Sequence, residues 1–329
     1  MPNLLIADTA VKRLEAELEP LLESINLYQM HGGGKITFNG NSVEPADADI
    51  HYGWFGRDVM FSEYSRDYAV HLLKSPNLKW VQSASAGLDN PFFAKLAGKG
   101  IRLTNSDAQA PAIAEYVVAS VLERYQGFVE RREHQTNHNW QDTNFREIYN
   151  SNWLIIGHGN IGSRVGIRAK AFEANVTGVK RSKVEAPGAD KIISYADILE
   201  SLPNQDVVVL ACALTDDTRD LVNESFLAAM KRDAVLVNIG RGDLVDETAL
   251  LKALDAEQID YAILDVFRTE PLPTESRFWD HPRVLVTPHS SNRGSGTNQR
   301  GDQLFLHNLT ALVKGESLIN EVNVAELIS

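Results

Sequence analysis

Short apolar segments alternate with amphipathic segments along almost the whole chain, and this alternation constrains the fold more than any other feature. The apolar segments have the length of strands, and we predict strands at residues 4–6, 101–103, 153–156, 207–210, 235–237, 262–264 and 284–286. Such alternation is typical of βαβ units. It therefore predicts an α/β protein whose doubly wound parallel sheets are covered by helices on both faces.

A helical pattern covers residues 161–172, and three others cover residues 11–22, 111–132 and 298–314. The pattern at 111–132 begins with Pro111, which suits the first turn of a helix. A chain of 329 residues is long enough for about two domains of roughly 150 residues each. Because the last two patterns flank a central block of strands, we expect a discontinuous first domain, residues 1–103 with 291–329. The second domain, residues 104–290, would be inserted in it.

The composition argues against several classes of partner. The chain has 44 acidic and 32 basic residues, so its net charge of −12 argues against nucleic acid and against an anionic membrane surface. The single cysteine, Cys212, allows neither an intrachain disulfide nor a cysteine metal cage, and it fits a reducing compartment. No secretory signal pattern stands at the N-terminus, and the longest apolar run, residues 207–214, is too short to span a bilayer. We therefore expect a cytoplasmic protein.

A glycine motif follows the predicted strand at residues 153–156 and opens a helical pattern. It consists of Gly157, His158, Gly159, Asn160, Ile161 and Gly162. In this strand–turn–helix context the motif predicts a dinucleotide site. The first glycine permits a tight turn, the second lets the backbone approach a pyrophosphate, and the third allows the helix to pack on the strand. A plain strand–helix turn with fortuitous glycines is the weaker alternative.

The residues that follow the next predicted strand, at residues 176–179, bear on the choice of cofactor. An NAD site usually places Asp or Glu there for the ribose 2′-OH. This chain instead has Lys180, Arg181, Ser182 and Lys183. Arg181 and Ser182 can bind a 2′-phosphate through charge-assisted hydrogen bonds. We therefore predict that NADP(H) is preferred, with NAD(H) as the alternative. In the ordinary alternative these cations are only solvated loop residues.

Three polar residues follow predicted strands in the second half of the chain. Arg241, Glu270 and His289 each come just after a strand, where ligands gather in open α/β sheets. Reduction of a carbonyl needs a group that polarises the oxygen, an acid that delivers a proton, and a partner for that acid. Each residue also has an ordinary alternative: Arg241 pairs with Asp243 or Asp246, Glu270 starts a turn, and His289 is one of nine histidines.

Taken together, these motifs resemble the D-isomer-specific 2-hydroxyacid dehydrogenase family, and most closely its glyoxylate/hydroxypyruvate reductase members. The matching stretches are GHGNIG (157–162), LTDDT (214–218), MKRDAVLVNIGRGDLVDETAL (230–250), LDVFRTEPLP (264–273) and VTPHSS (286–291). Weaker matches are SASAGLDN (83–90), AIAEYVVASVL (112–122) and NLTALVKGESLINEV (308–322). The resemblance implies a Rossmann dinucleotide-binding domain inserted in a flavodoxin-like substrate domain.

The resemblance also implies roles for the three strand-end residues. Arg241 would hold the substrate carboxylate and polarise its carbonyl. His289 would be the acid/base that gives its proton to the carbonyl oxygen. Glu270 would hydrogen-bond His289 and favour its protonated form, which suits an acid working near neutrality.

Further contacts follow from the resemblance in the same way. The backbone N–H groups of Ala86 and Gly87 would bind the substrate carboxylate, and Asp265 would contact the nicotinamide carboxamide. The remaining cofactor contacts would be Cys212, Ala213, Thr218 and Ile239. Trp54 and Phe55 would shape a pocket for the substrate side chain, although packing aromatics are an equal alternative. Trp140 lies where related reductases lend a residue to a neighbouring subunit, and burial at an interface is again an alternative.

The implied activity is reduction of a small 2-oxoacid to the (R)-2-hydroxyacid by hydride transfer from NADPH, in a homodimer. Two alternatives stay open: a dehydrogenase that uses NADH on another 2-oxoacid, and a regulator that senses NAD(P) on the same fold. Ser290, Ser291 and Asn292 replace the small apolar residues usual in the family, so the substrate preference is not determined. A short-chain dehydrogenase is excluded because no tyrosine has a lysine four residues later. His134 and His138 lack a third metal ligand at a familiar spacing, so we expect no metal site.

Overall fold

The structure, a computed structural model, describes residues 1–181, 184–323 and 327. The chain divides into two compact units. The first consists of Met1–Gln109 together with the chain from Ser295 onward, and the second is Ala110–Gly294. These divisions lie within a few residues of the domain boundaries expected at 103/104 and 290/291.

Within the described residues, the first unit contains a seven-stranded sheet. Its strands are β1 (Asn3–Ala7), β2 (Asn26–Met30), β3 (Ile36–Phe38), β4 (Asn41–Val43), β5 (Tyr52–Phe55), β6 (Trp80–Ser83) and β7 (Arg102–Thr104). They lie in the order β4-β3-β2-β1-β5-β6-β7. The five strands β2, β1, β5, β6 and β7 are parallel, in the order of flavodoxin-like sheets.

An antiparallel hairpin extends this sheet at one edge, which a purely parallel expectation did not include. Strand β3 pairs antiparallel with β2 and with β4. Asn39 and Gly40 connect β3 to β4, and both have positive φ, at 49° and 77°. Asn-Gly is the strongest short-range hairpin signal because such two-residue turns need positive φ at both positions. The local sequence therefore contained the information for this hairpin.

The second unit also contains a seven-stranded sheet in the residues described. Its strands are β8 (Asn152–Ile156), β9 (Asn175–Val179), β10 (Lys191–Ile193), β11 (Val207–Leu210), β12 (Val235–Asn238), β13 (Tyr261–Leu264) and β14 (Val284–Val286). Their order is β10-β9-β8-β11-β12-β13-β14, and all the pairs are parallel. The order reverses between β8 and β11, which is the switch point where doubly wound sheets bind ligands.

The helices cover the sheets of the two units. In chain order they are α1 (Asp8–Arg13), α2 (Glu15–Leu18), α3 (Arg57–Met60), α4 (Ser65–Lys74), α5 (Pro91–Ala97), α6 (Ala110–Gln126), α7 (Phe128–Thr136), α8 (Asn160–Ala171), α9 (Ile198–Ser201), α10 (Glu224–Ala229), α11 (Glu247–Asp255) and α12 (Thr297–Lys314). Short 3₁₀ helices lie at Glu19–Leu21, Gly32–Gly34, Tyr195–Asp197, Leu202–Asn204 and Gly242–Leu244. No helix of the described residues has both the length and the apolar composition needed to cross a membrane.

Two of the helices expected from sequence are interrupted. The pattern at residues 111–132 forms α6 and α7, which are separated at Gly127 with φ +60°. A glycine in the left-handed region ends a helix because it lacks a Cβ that would clash there. The pattern at residues 11–22 forms α1, α2 and a 3₁₀ turn that contains Pro20. The expected helices at residues 161–172 and 298–314 form as α8 and α12.

The core of the second unit lies on both faces of its sheet. Alternate residues along each central strand belong to different clusters, since side chains point alternately to the two faces. Leu154, Val208 and Leu236 belong to one cluster, and Ile155, Val209 and Val237 to the other. Burial on both faces explains why these strands read as continuous apolar segments. The prediction of an α/β fold with parallel sheets is confirmed.

Candidate active site

The three polar residues expected at the site follow three adjacent strands of the second unit. Strands β12, β13 and β14 pair side by side in parallel register. Arg241, Glu270 and His289 lie in the segments that follow them. The carboxyl ends of parallel strands meet at one edge of a sheet, so strand order brings these three segments to the same edge.

A hydrogen bond joins His289 to Glu270. The Nδ1 atom of His289 lies 2.9 Å from Oε2 of Glu270. The second carboxylate oxygen of Glu270, Oε1, accepts a hydrogen bond from the backbone N–H of Phe267 at 3.0 Å. Both oxygens of Glu270 are therefore engaged, and the carboxylate holds the imidazole by Nδ1. The Nε2 atom lies on the opposite side of the ring from this contact, and the side chain of His289 keeps 43% of its surface exposed.

The backbone at His289 has an uncommon conformation. Its φ is +49°, in the left-handed region that few non-glycine residues adopt. The N–H of His289 donates to the carbonyl oxygen of Asp265 at 2.8 Å and to that of Thr287 at 3.0 Å. Such a conformation persists where the surroundings determine it, and it is common at functional sites.

The buried carboxylate of Asp265 holds the segment that carries His289. Asp265 has no exposed surface. Its oxygens accept hydrogen bonds from the hydroxyl of Thr287 at 2.6 Å, from the N–H of Ser290 at 2.9 Å, and from the Ser291 hydroxyl at 2.5 Å. Thr287 also bonds the hydroxyl of Tyr116 at 2.8 Å. Contact between Asp265 and a nicotinamide carboxamide stays a prediction. The hydrogen bonds to Thr287, Ser290 and Ser291 show that the carboxylate also holds the segment around His289.

The turn that presents Arg241 is fixed by its neighbours. Asn238, at the end of β12, donates through its side chain to the carbonyl oxygen of Arg241 at 2.9 Å and accepts from the N–H of Gly240 at 3.1 Å. The Nη1 atom of Arg241 donates to the carbonyl oxygen of Gly240 at 2.8 Å. A Cβ at Gly242 would collide with the backbone of Phe267, so only glycine allows this close approach.

The glycine motif fits a dinucleotide pyrophosphate. Gly157 has φ +91°, and a Cβ there would collide with the backbone of Cys212. A Cβ at Gly162 would collide with the carbonyl oxygen of Gly157. Gly159 is different, because a Cβ there would meet no described atom within 4 Å. Its open face lies at the start of α8, where the first N–H groups of the helix lack intrahelical partners and attract anions.

The other expected cofactor contacts of this unit lie in the segments that follow β11 and β12. Cys212 is buried, and burial raises the pKa of its thiol to about 11. The hydroxyl of Thr218 donates to the carbonyl oxygen of Ala213 at 2.9 Å and accepts from the N–H of Thr215 at 2.8 Å, so it closes the loop after β11. Ile239 is buried after β12. Contact of these residues with a cofactor stays a prediction.

The cationic segment expected to bind a 2′-phosphate begins directly after β9. Lys180 donates its N–H to the carbonyl oxygen of Ile193 in β10 at 3.1 Å, and Arg181 follows as an exposed residue. Ser182 and Lys183 lie outside the described residues, so the expected contact of Ser182 is not described. The segment stands at the carboxyl end of β9, next to the strand that carries the glycine motif.

The first unit places the expected substrate residues at the ends of β5 and β6. The carbonyl oxygen of Ala86 accepts a hydrogen bond from the side chain of Asn105 at 2.8 Å, which supports the turn that contains Gly87. Trp54 is buried and stacks on Phe305, with ring centroids 4.1 Å apart. Phe55 is also buried, against the aromatic residues Tyr68, Phe92 and Phe93. These contacts favour packing, and a role of both aromatics toward substrate stays a prediction.

The structure also places the residues that sequence analysis singled out beyond the site. Trp140 is fully exposed, in a segment after α7. His134 contacts the side chain of Asn139 at 3.2 Å. Among the residues that the structure describes, no group of three or more His, Cys, Asp or Glu side chains is arranged to hold a metal ion.

Sequence reasoning did not identify the residues that hold the His289 segment. Tyr116, Thr287 and Ser291 were not expected at the site, although Asp265 was. A Ser or Thr near a catalytic histidine is too common in loops to be informative. The signal that was present is the departure of Ser290 and Ser291 from the small apolar residues usual in the family.

Comparisons with known proteins identify the family. The model of the D-isomer specific 2-hydroxyacid dehydrogenase NAD binding domain matches residues 118–291. The chain is 33% identical over 251 residues to a glyoxylate/hydroxypyruvate reductase A of Arabidopsis thaliana, which is 75% of this chain and 79% of that protein. It resembles the solved NADPH-dependent glyoxylate/hydroxypyruvate reductase of Sinorhizobium meliloti in complex with NADP and sulfate, with TM-score 0.74, 26% identity and 99% of each chain covered.

A solved D-isomer specific 2-hydroxyacid dehydrogenase family protein from Aeromonas salmonicida is similar as well. Its TM-score is 0.75 at 26% identity, over 98% of this chain and 99% of that one. The matched region of the family model contains the glycine motif, Arg241, Glu270 and His289. The chain thus belongs to the D-isomer-specific 2-hydroxyacid dehydrogenase family of NAD(P)-dependent oxidoreductases.

Proposed function

We propose that this protein reduces a small 2-oxoacid of the glyoxylate or hydroxypyruvate type to the (R)-2-hydroxyacid, with NADPH as the preferred hydride donor. The observation that carries the proposal is the pair of His289 and Glu270 at the strand ends where Arg241 also lies. The names of the similar proteins, glyoxylate/hydroxypyruvate reductases among them, support the substrate class.

The proposed chemistry assigns one task to each residue. The dihydronicotinamide, when bound, supplies the hydride to the carbonyl carbon. Arg241 binds the substrate carboxylate and polarises the carbonyl, since a guanidinium grips planar oxyanions well. His289, held through Nδ1 by Glu270, gives the Nε2 proton to the carbonyl oxygen, so the hydride and the proton complete the hydroxyl. The backbone N–H groups of Ala86 and Gly87 bind the carboxylate.

The preference for NADPH is assigned to the segment after β9. Arg181, together with Ser182, binds the 2′-phosphate, and no carboxylate occupies positions 180–183 to repel it. A solved relative at 26% identity is in complex with NADP. The enzyme also accepts NADH, less efficiently.

We further propose a cytoplasmic homodimer. Exposed apolar side chains on and after α7 favour an interface there: Phe128, Val129, Trp140, Phe145 and Tyr149. The lone buried cysteine fits a reducing compartment. Light scattering of the purified protein tests the dimer, and a monomer at micromolar concentration would contradict it.

A substrate panel tests the proposed reaction. Oxidation of NADPH is followed with glyoxylate, hydroxypyruvate and pyruvate, and the product is resolved on a chiral column. We expect turnover with the first two and an (R) product wherever a stereocentre forms. No turnover with any 2-oxoacid would instead support a regulator that only senses the dinucleotide.

The cofactor assignment has its own test in Arg181→Ala. We expect kcat/KM with NADPH to fall by about 10- to 100-fold, the effect of one charge-assisted hydrogen bond, while the value with NADH is little changed. Arg232→Ala is the matched control, because Arg232 is exposed and precedes β12, away from the carboxyl ends of the strands. A wild-type preference for NADH would overturn the assignment.

A further inference from the structure

The histidine of the glycine motif makes a contact that the proposed reaction does not use. The side chain of His158 is almost fully buried, with 1% of the residue exposed. Its Nε2 atom lies 2.8 Å from the carbonyl oxygen of Pro187, which is 29 residues further along the chain. Pro187 belongs to the segment that follows the cationic residues 180–183. One side chain therefore links the glycine motif to the segment expected at the 2′-phosphate.

The partners of the imidazole determine where its proton lies. A carbonyl oxygen only accepts hydrogen bonds, so Nε2 carries a proton and donates it. The other nitrogen, Nδ1, is buried and has no hydrogen-bond partner among the described residues. Burial lowers the pKa of His158; the hydrogen bond to Pro187 raises it by less, and the positive charge of Lys180 lowers it slightly, so the net shift is downward. The ring is therefore a neutral donor to Pro187 near neutral pH.

Two glycines, Gly178 and Gly188, allow the close packing of the His158 imidazole and of the segment that contains Pro187. A Cβ on Gly178 of β9 would lie 2.7 Å from Cγ of His158, so the imidazole rests on this glycine. Gly188 has φ +80°, and a Cβ there would lie 2.5 Å from the carbonyl oxygen of Ser163 and 2.6 Å from the nitrogen of Ile167, both in α8. The segment after the cations is thus seated directly on the helix that the glycine motif begins.

The chain is anchored to the sheet before and after the cationic segment, residues 180–183. Before it, β9 pairs with β8 and β10. After it, the N–H of Asp190 donates to the carbonyl oxygen of Val176 at 2.8 Å, and the Asp190 carboxylate accepts the N–H of Val176 at 2.8 Å and pairs with Lys170. Between Arg181 and Asp190, the hydrogen bond from His158 holds the chain at Pro187.

We propose that His158 is a positioning residue for cofactor selectivity: by holding Pro187, it positions Arg181 for the 2′-phosphate and so favours NADPH over NADH. This inference rests on the proposed function, which assigns that phosphate to Arg181. The inference concerns the histidine itself, since an apolar side chain at position 158 would donate no hydrogen bond to Pro187.

The backbone of the glycine motif does not depend on the imidazole. The N–H groups of Gly157 and His158 both donate to the carbonyl oxygen of Val179, at 3.1 and 2.9 Å. A substitution that removes only the side-chain donor therefore leaves these hydrogen bonds in place. NADH, which has no 2′-phosphate, needs the motif but not the cationic segment. Loss of the His158 bond should consequently act on NADPH and spare NADH.

The test is His158→Phe, which keeps an aromatic ring and removes the donor. Dissociation constants of NADPH and NADH are measured by cofactor fluorescence on the full-length protein without substrate. We expect the constant for NADPH to rise by about 3- to 10-fold, the effect of one hydrogen bond, and the constant for NADH to change by less than about 2-fold. The matched control is His71→Phe, a buried histidine of the other unit, which should change neither constant.

Two further variants separate the possible failures. In an Arg181→Ala background, His158→Phe should lose its selective effect, because the phosphate contact it supports is already gone. If Arg181→Ala alone changes nothing, the proposed 2′-phosphate site is wrong. If Arg181→Ala acts as expected but His158→Phe weakens both cofactors equally, or neither, only the role of His158 is overturned.

Gly188→Ala carries the test if His158→Phe does not fold. Its Cβ would push the same segment away from α8. We expect the same selective loss of NADPH affinity, and an unchanged ratio of the two dissociation constants would overturn the proposal.

Discussion

Two ends of one sheet edge in the second unit are built in opposite ways. After β8 and β11 the backbone comes close to itself, and Gly157 and Gly162 are required because a Cβ would collide with backbone there. At β13 and β14 the chain is held by polar side chains, with Asp265 and Glu270 fixing His289. The glycine end requires that Gly157 and Gly162 have no side chain, so a substitution that adds a Cβ should disrupt the backbone there. The histidine end requires the hydrogen-bonding side chains of Asp265 and Glu270, so a substitution that removes them should release His289.

The largest expected effect is at the histidine end. We expect His289→Gln to lower kcat by about 10²- to 10⁴-fold, because the proposed proton donor is lost, while the melting temperature changes little. His307→Gln, an exposed histidine on α12 of the other unit, is the control and should keep full activity. A fall of less than about 10-fold for His289→Gln would show that another group protonates the carbonyl.

At the glycine end two substitutions should separate folding from binding. Gly157→Ala should destabilise the cofactor-free protein by about 1–3 kcal/mol, since φ is +91° and the Cβ collides with backbone. Gly159→Ala should leave that stability unchanged, since its Cβ meets open space, yet weaken binding of either cofactor. Urea unfolding and cofactor titration measure the two effects. Equal stability losses would contradict this division.

Asp265→Asn tests whether the buried carboxylate positions His289. In the wild-type protein the hydroxyls of Thr287 and Ser291 donate to carboxylate oxygens of Asp265. The amide of the variant would place N–H groups opposite some of these donors, so we expect a loss of about 1–3 kcal/mol in the free energy of unfolding. We also expect lower kcat, because the conformation of His289 is no longer held. Unchanged stability together with a raised cofactor dissociation constant would point instead to the nicotinamide contact predicted from the family.

The smallest expected effect is at Ser291. Ser291→Ala removes one hydroxyl donor to Asp265 and should cost about 0.5–1.5 kcal/mol in the free energy of unfolding. Ser290→Ala is the matched control, because only the backbone N–H of Ser290 contacts the carboxylate. Chemical unfolding of both variants measures the difference. Equal losses would show that the Ser291 hydroxyl does not support the segment.

More of the structure at the glycine end than at the histidine end could be predicted from the sequence. The motif at residues 157–162 is a local pattern of strand, turn and helix, so each glycine's requirement could be inferred from its neighbours in the chain. The same holds for the helix at 298–314. The Asn39-Gly40 hairpin was not predicted, although its turn signal is equally local. The break of the long helix at Gly127 was missed because a single glycine inside a helical pattern is often tolerated.

The support of His289 could not be inferred in this way. Its hydrogen bond to Glu270 spans 19 residues, and the bonds of Asp265 to Thr287 and Ser291 span 22 and 26. These contacts exist because β13 and β14 are neighbours in exact register, and register depends on the packing of whole strands. The link from His158 to Pro187, over 29 residues, is of the same kind.

The sequence by itself determined the α/β class, the glycine motif and the three polar residues at strand ends, because these follow from short-range periodicity and local backbone requirements. Only the tertiary structure decided which side chains meet. It gave Asp265 its hydrogen-bond donors, buried Trp54 against Phe305, and joined His158 to the segment after the cations. The physical reason is that hydrogen bonds and ring contacts act over only a few ångströms, and the packing of strands, helices and loops brings residues from distant parts of the chain within that range.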